Sequence, residues 1–332
     1  MYPLDVPGAR HSAFGTETFG TAIGYRLHSR WASEVPSSDS RTRGRGMTDA
    51  VDETARLAST FDDASGDFDR LTPTVWGPAG QALVFQLGPG PGATVLDVCC
   101  GAGASALPAA AAVGPTGRVH AIDVADELLE LGRLVAAERA LQNIDFVCAD
   151  ATTWEPPSAV PEAGYDALAI SYGVFLLPHM DATFDRLVGL VRHGGRIGVT
   201  VWRAGAMEEI SATLFDVVGC RNPAVAGRPS LRDRTPLHAI DLPRTLEAWL
   251  AAAGTHSVEV RTLSNLLPAT EELCWTLVTA TGLRAALAGL DADAVAAVRA
   301  EFLAAVTERG IHTIDATTLV GTATVRRPPA TV

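Results

Sequence analysis

The chain contains no lysine; its 26 basic residues are all arginine and stand against 38 Asp and Glu, for a net charge of −12. The lack of lysine reads as a compositional bias of the source genome, and the acidic balance argues against sequence-independent nucleic-acid binding, which needs a cationic footprint. No apolar run approaches the ~18 residues of a membrane-spanning helix, and the first residues carry no charged-then-apolar leader pattern. The five cysteines (Cys99, Cys100, Cys148, Cys220, Cys274) include no C-x-x-C spacing. That excludes the common zinc and redox frameworks, and no metal site is expected. Adjacent Cys99 and Cys100 are expected to be packing thiols in a reducing, cytoplasmic setting. A 47% hydrophobic and 19% charged composition over 332 residues describes a globular protein with a sizeable core.

Residues 1–46 are polar, lack periodicity and end in a Ser/Arg/Gly-rich stretch, so they are expected to be a disordered extension. Met47 begins what reads as an ordinary protein start and is expected to be the native initiator. Residues 47–92 are expected to form an N-terminal helical segment, broken at Pro73 and resumed from Val75 to Leu87.

The organising stretch is Val95-Leu-Asp-Val-Cys-Cys-Gly-Ala-Gly-Ala-Ser105. A short apolar strand runs into a glycine turn and then into an Ala-rich helix from Ala106 to Ala112. Glycine admits positive φ and close backbone approach, and a helix N-terminus favours a carboxylate or phosphate. By themselves, the two glycines favour an ordinary turn over a ligand site. The pattern downstream of the turn changes the balance. Strands are expected at Arg118–Asp123, Phe146–Ala149, Ala167–Ile170 and Arg196–Trp202. Helices are expected between them, the first capped by Asp126, and a later one beginning at Asp181 and ending at His193-Gly-Gly195. This alternation predicts a doubly wound, mostly parallel α/β sheet, and its acids and polar turns fall at strand C-terminal ends, where ligands of open α/β sheets bind. Further on, helices are expected at Met207–Val218, Thr245–Ala253, near Thr270 and after Asp291, and strands at Val258–Leu263 and Thr317–Val325. Segments 204–243 and 266–312 read as insertions over the ligand edge.

Val95-Leu-Asp-Val-Cys-Cys-Gly-Ala-Gly103, with Asp123, the Asp150 turn, Tyr172-Gly-Val-Phe175, Leu190-Val-Arg-His-Gly-Gly-Arg196 and Trp202, resembles the class I S-adenosylmethionine-dependent methyltransferases. The closest likeness is to the ubiquinone/menaquinone-biosynthesis-like, small-molecule group. The resemblance implies a Rossmann-like seven-stranded sheet spanning residues 93–332, with residues 204–243 and 266–312 as helical lid insertions, and S-adenosyl-L-methionine as cofactor. It places the backbone N–H groups of Gly101, Ala102 and Gly103, beside Cys99, against the cofactor's carboxylate. Asp97 would orient that loop and the cofactor's amino group, directly or through water. Asp123, with Val124 beside it, would hold the ribose; Asp150 and the Ala151 amide would read the adenine. Ser171 and Tyr172 would contact the methionine portion and face the acceptor. Taken singly, Asp123 or Asp150 reads equally well as a helix N-cap, and Cys99 stands where glycine is commoner.

The implied reaction transfers a methyl group to a small-molecule acceptor, aromatic, quinol-like or polyketide in character. His179 and then His238 are the candidate general bases; the alternative for each is a surface or capping histidine. Two other readings are open: an NAD(P)-dependent oxidoreductase, whose fingerprint tolerates the Ala that ends Gly101-Ala-Gly-Ala-Ser-Ala106 but which the acid within the first strand and the late Gly-Gly turn disfavour, and a non-catalytic cofactor-binding module. The insertions are expected to fold over the methyl position, with Leu214, Phe215, Trp275 and Leu277 forming an apolar acceptor pocket. The alternative is that they cover a sheet edge or form a homodimer contact.

Overall fold

A computed structural model describes residues 54–221 and 235–326. The expectations for residues 1–46 and for Met47, and part of the 220–243 loop, lie outside the described residues.

Seven strands form one sheet. They are β1 (Thr94–Val98), β2 (Arg118–Asp123), β3 (Ile144–Cys148), β4 (Tyr165–Ser171), β5 (Val191–Trp202), β6 (Thr255–Leu263) and β9 (Thr318–Val325). Their order across the sheet is β3-β2-β1-β4-β5-β9-β6. The first five are mutually parallel, and β9 runs antiparallel between β5 and β6. The short β7 (Leu266–Pro268) and β8 (Thr313–Asp315) pair separately. Strand order reverses at β1, from which the chain first builds outward to β2 and β3 and then returns to β4 on the other side. This is the switch point at which open α/β sheets bind ligands.

Both faces of the central strands are buried, as parallel strands require. On one face Val95, Val119, Ala121, Ala167 and Ala169 pack against Leu83, Leu87, Leu107 and Ala110. These come from α3 (Gly77–Leu87) and α4 (Ala106–Val113). The small side chains on β4 let those helices sit close. On the other face Leu96, Val98, Ile122, Leu168, Ile170, Ile197 and Val199 join a larger core with Phe184, Leu246, Leu277 and Phe302. These come from α6 (Met180–Val188), α8 (Pro243–Ala252), α9 (Glu271–Thr279) and α10 (Ala292–Glu308). The remaining helices are α1 (54–62), α2 (Ser65–Phe68), α5 (Asp126–Glu138) and α7 (Glu208–Gly219).

Three local expectations are corrected, and one element is added. Pro73 does not break the N-terminal helical run; it sits in the first turn of a π-helical stretch, Thr72–Trp76, that continues directly into α3. Proline there loses an N–H that a helix start leaves unpaired anyway. Asp126 does not cap α5: its N-cap is Ala125, whose N–H is taken by Asp123 Oδ1 at 3.0 Å. The helix preceding β5 stops at Gly189, not at His193-Gly-Gly195, and Gly194, at φ +72°, lies inside an irregular β5 that already pairs with β4 at Val191. The β7–β8 pair is too short to show periodicity, and the sequence pattern does not predict it.

Candidate active site

The turn after β1 is wound tightly by positive φ at Cys99 (+55°), Gly101 (+50°) and Gly103 (+89°). Gly101 N–H donates to Asp123 Oδ2 at 2.8 Å, and Gly103 N–H donates to the Cys100 carbonyl at 2.8 Å. Among the described residues this leaves the N–H groups of Ala102 and Ala104 without acceptors, at the start of the turn into α4. Gly80 of α3 holds the turn from behind: a Cβ there would fall 2.2 Å from the Ala104 carbonyl oxygen. Non-glycine residues with positive φ recur at the same sheet edge, at Tyr172, His179 and Met207. Such strain concentrates where surrounding structure fixes a functional geometry.

Asp97 lies under this turn, fully buried in β1, and neither carboxylate oxygen has a hydrogen-bond partner among the described residues. Burial pushes its pKa up to about 7; the neighbouring Ser105 hydroxyl opposes the shift and Asp123 adds to it. The group is neutral when folded and ionised when unfolded between roughly pH 4 and 7. The folded state therefore holds the extra proton in that window, and stability falls as pH rises through it. Above pH 7 the buried charge costs on the order of 4 kcal/mol. Asp97→Asn is accordingly expected to raise the melting temperature of the cofactor-free protein at pH 8, with the gain shrinking toward pH 4. Scanning calorimetry across pH checks this, and a variant that melts lower at pH 8 would contradict it.

Asp123 closes β2 and is the hinge of the site, since its two oxygens tie the Gly101 and Ala125 amides together. Burial raises its pKa, against the pull of those amides. Asp150, after β3, accepts the Thr152 N–H at 2.8 Å in a local turn. After β4, the Ser171 hydroxyl lies 3.0 Å from Thr200 Oγ1, and Tyr172 N–H donates to the same threonine at 3.1 Å. The Tyr172 phenol is in a short hydrogen bond with Thr318 on β9, and burial raises its pKa.

These elements open on a cavity of about 630 Å³. Of the residues singled out from sequence, Cys99, Gly101, Asp123, Val124, Asp150, Ala151, Ser171, Tyr172 and His179 line it. Asp97, Ala102 and Gly103 lie behind that lining. Cys99 is therefore part of the wall as well as a packing thiol, and burial pushes both Cys99 and Cys100 thiols well up. His179 is exposed at the N-cap of α6. His238 is outside the lining, with Nδ1 3.0 Å from the Thr235 carbonyl.

Beyond Tyr172, Phe175 and Trp202, which belong to the motifs above, the larger part of the lining carries no signal in the sequence. Tyr172 stacks at a tilt on Trp202 with centroids 4.3 Å apart, Trp76 meets Tyr172 edge-on at 5.2 Å, and Phe68 stacks on Trp76 at 5.3 Å. Trp76 and Phe68 come from the N-terminal helical run, whose π turn sets the Trp76 ring against the sheet edge. An isolated Trp in an apolar helix does not announce such a role. Both insertions reach the cavity, through Met207, Ser211 and Leu237 and through Thr281 and Leu283. The residues expected to do so, Leu214, Phe215, Trp275 and Leu277, pack in or against the core instead. Helical spacing identifies an apolar face but not which of two neighbours it meets. Among the described residues there is no cluster of metal-ligating side chains and no helix long and apolar enough to cross a membrane.

Residues 81–214 match the ubiE/COQ5 methyltransferase family. Aklanonic acid methyltransferase DauC of Streptomyces sp. (strain C5) is 39% identical over 152 residues, 45% of this chain and 67% of the relative. Nocamycin O-methyltransferase of Saccharothrix syringae is 31% identical over 260 residues, 73% of this chain and 88% of the relative. Demethylmenaquinone methyltransferase of Lactococcus lactis subsp. lactis (strain IL1403) is 25% identical over 162 residues, 46% of this chain and 60% of the relative. A switch-point turn that a Cβ at Gly103 would crowd to 3.0 Å, an acid closing β2 and a roomy cavity beyond them fit a nucleoside with a carboxylate tail. With those relatives, they identify the chain as a member of the ubiE/COQ5 methyltransferase family, a class I S-adenosylmethionine-dependent enzyme that methylates a small molecule.

Proposed function

We propose that the enzyme methylates an oxygen of a flat, polyketide-like aromatic acceptor lying against Trp76, Tyr172 and Trp202. The observation that carries this reading is the aromatic wall itself: three rings in mutual contact in a cavity whose lining also holds aliphatic and polar side chains. Ring-on-ring contact suits a fused aromatic, and each such pair is worth about 0.5–1.5 kcal/mol beyond area burial. The relatives named for aklanonic acid and nocamycin support the same class.

When bound, S-adenosylmethionine supplies an activated methyl on a sulfonium. The protein's task is then alignment, which for well-oriented partners is worth effective molarities of roughly 10⁵–10⁸ M. We assign the free N–H of Ala104, in the cavity lining just before α4, to the cofactor carboxylate, with the free Ala102 N–H behind it adding to the positive helix end that favours an anion. Asp123 holds the ribose hydroxyls, and Asp150 with the Ala151 amide holds the adenine edge. Ser171 and Tyr172 are fixed from behind by Thr200 and Thr318, so they position the methionine portion without moving. His179, strained at the cavity rim, takes the proton of an acceptor hydroxyl that arrives un-ionised. The helical run 54–71 and segments 204–221 and 235–241 wall off water.

Turnover with aklanonic acid, a hydroxyanthraquinone and demethylmenaquinol, with products read by mass spectrometry, tests the proposal. O-methylated aromatic product is expected, and Trp202→Ala should raise the acceptor KM at least about tenfold while S-adenosylmethionine affinity stays within a few fold. Turnover of the quinol alone, with methyl on carbon, would overturn it.

A further inference from the structure

Arg203 follows β5 directly and is the only arginine in the cavity lining among the described residues. The acids there are Asp123, Asp150, Glu208 and Asp241. Arg203 is thus the one cationic side chain facing four acids in that lining among the described residues. Its surroundings fix it tightly. Arg203 N–H donates to the Thr317 carbonyl at 3.0 Å, and Nη2 donates to Asp315 Oδ2 at 3.2 Å. Asp315 is itself held, its Oδ1 accepting the Thr317 N–H at 2.8 Å and its carbonyl accepting the Met207 N–H at 2.8 Å. The guanidinium is thus clamped on one side while its side chain stays 42% exposed. Nε is sealed from solvent with no partner, so the donors left to serve a cavity ligand are those of the outer Nη1–Nη2 edge. Apart from the bond to Asp315, no hydrogen bond engages that edge among the described residues.

An outer guanidinium edge presents two parallel N–H groups, the spacing that a planar carboxylate accepts in a bidentate pair. Aliphatic and aromatic walls lower the local dielectric and strengthen such a pair. We infer that Arg203 is a specificity residue that selects acceptors bearing a carboxylate and orients them by it, with the aromatic body lying toward Trp202. This rests on the aromatic-acceptor reading and adds the acidic group that reading does not specify. The cofactor's own carboxylate is a competing claimant. The glycine turn lies at β1, however, with β4 between it and the strand that carries Arg203, and that turn has its own free N–H donors.

The test uses the full chain saturated with S-adenosylhomocysteine, titrated with anthraquinone-2-carboxylate and with its neutral carboxamide. In the wild type the carboxylate should bind about tenfold or more tighter than the carboxamide. Arg203→Gln should bring the two within about twofold, and Arg203→Lys should keep part of the preference. S-adenosylhomocysteine affinity should change by no more than a few fold in either variant. Equal binding of the two probes to the wild type would overturn the inference and leave the aromatic-acceptor reading standing. Failure of both probes to bind would bring down both. A preference that survives in Arg203→Gln, or a large loss of S-adenosylhomocysteine affinity there, would also overturn the inference. If Arg203→Gln does not fold, the wild-type ratio and the lysine variant decide.

Discussion

Gly101→Val is expected to abolish S-adenosylmethionine binding while leaving the fold largely intact. Gly101 has φ +50°, a conformation that a β-branched residue adopts only at substantial cost. Its Cβ would stand 3.4 Å from Phe68 Cζ and 3.7 Å from Leu128 Cδ1, so valine's methyl groups would push into the cavity wall where the cofactor enters. Relaxing the backbone to negative φ would break the Gly101 N–H bond to Asp123 and release the turn. The damage stays local because the nearest neighbours of the Cβ are Phe68 and Leu128, at ordinary contact distances, and no sheet strand passes through the turn. Titration calorimetry should register no heat of cofactor binding, and far-ultraviolet circular dichroism should match the wild type. A valine variant that binds and transfers methyl normally would reduce this turn to a structural connection.

Asp123→Ala should be nearly as severe. The carboxylate makes two charge-assisted bonds to the amides of Gly101 and Ala125, each worth roughly 1.5–3 kcal/mol, and Asp123 lines the cavity. Removing it loosens the glycine turn and deletes the ribose acceptor together. The expected loss of S-adenosylmethionine affinity is on the order of a hundredfold, at the upper end of what one charge-assisted contact gives. Asp123→Asn should not rescue it, because an amide carries only one acceptor oxygen and must turn an NH₂ donor toward one of the two backbone N–H groups. Unchanged affinity in either variant would remove Asp123 from the site.

The parallel half of the sheet is legible because each of its strands is a short apolar run closed by an acid or a polar turn. Those closing residues, Asp123, Asp150 and Ser171, are the ones that reach the cavity. What stays hidden depends on partners distant in sequence. Gly80 looks like an indifferent helix residue until the Ala104 carbonyl is placed against it. Trp76 owes its position to a π turn that helical periodicity cannot register. Arg203 reads as one arginine among 26, and only the clamp supplied by Asp315, more than a hundred residues later, fixes it in the cavity lining. The two threonines behind the aromatic wall, Thr200 and Thr318, lie on neighbouring strands and likewise become visible only through strand order. Glycine's permissiveness makes Gly101 and Gly103 natural candidates for amide donors. In the fold, however, their N–H groups are spent on Asp123 and Cys100, and the alanines between and after them are left free.

The most direct measurement is a crystal structure of the protein grown with S-adenosylhomocysteine. The expected density places the carboxylate on the Ala104 amide and the ribose on Asp123. Adenine should lie beside Asp150 and Ala151, and the sulfur should point past Tyr172 toward Trp202 and Arg203. A nucleoside bound away from Asp123, or a carboxylate tail resting on Arg203, would contradict this account of the site.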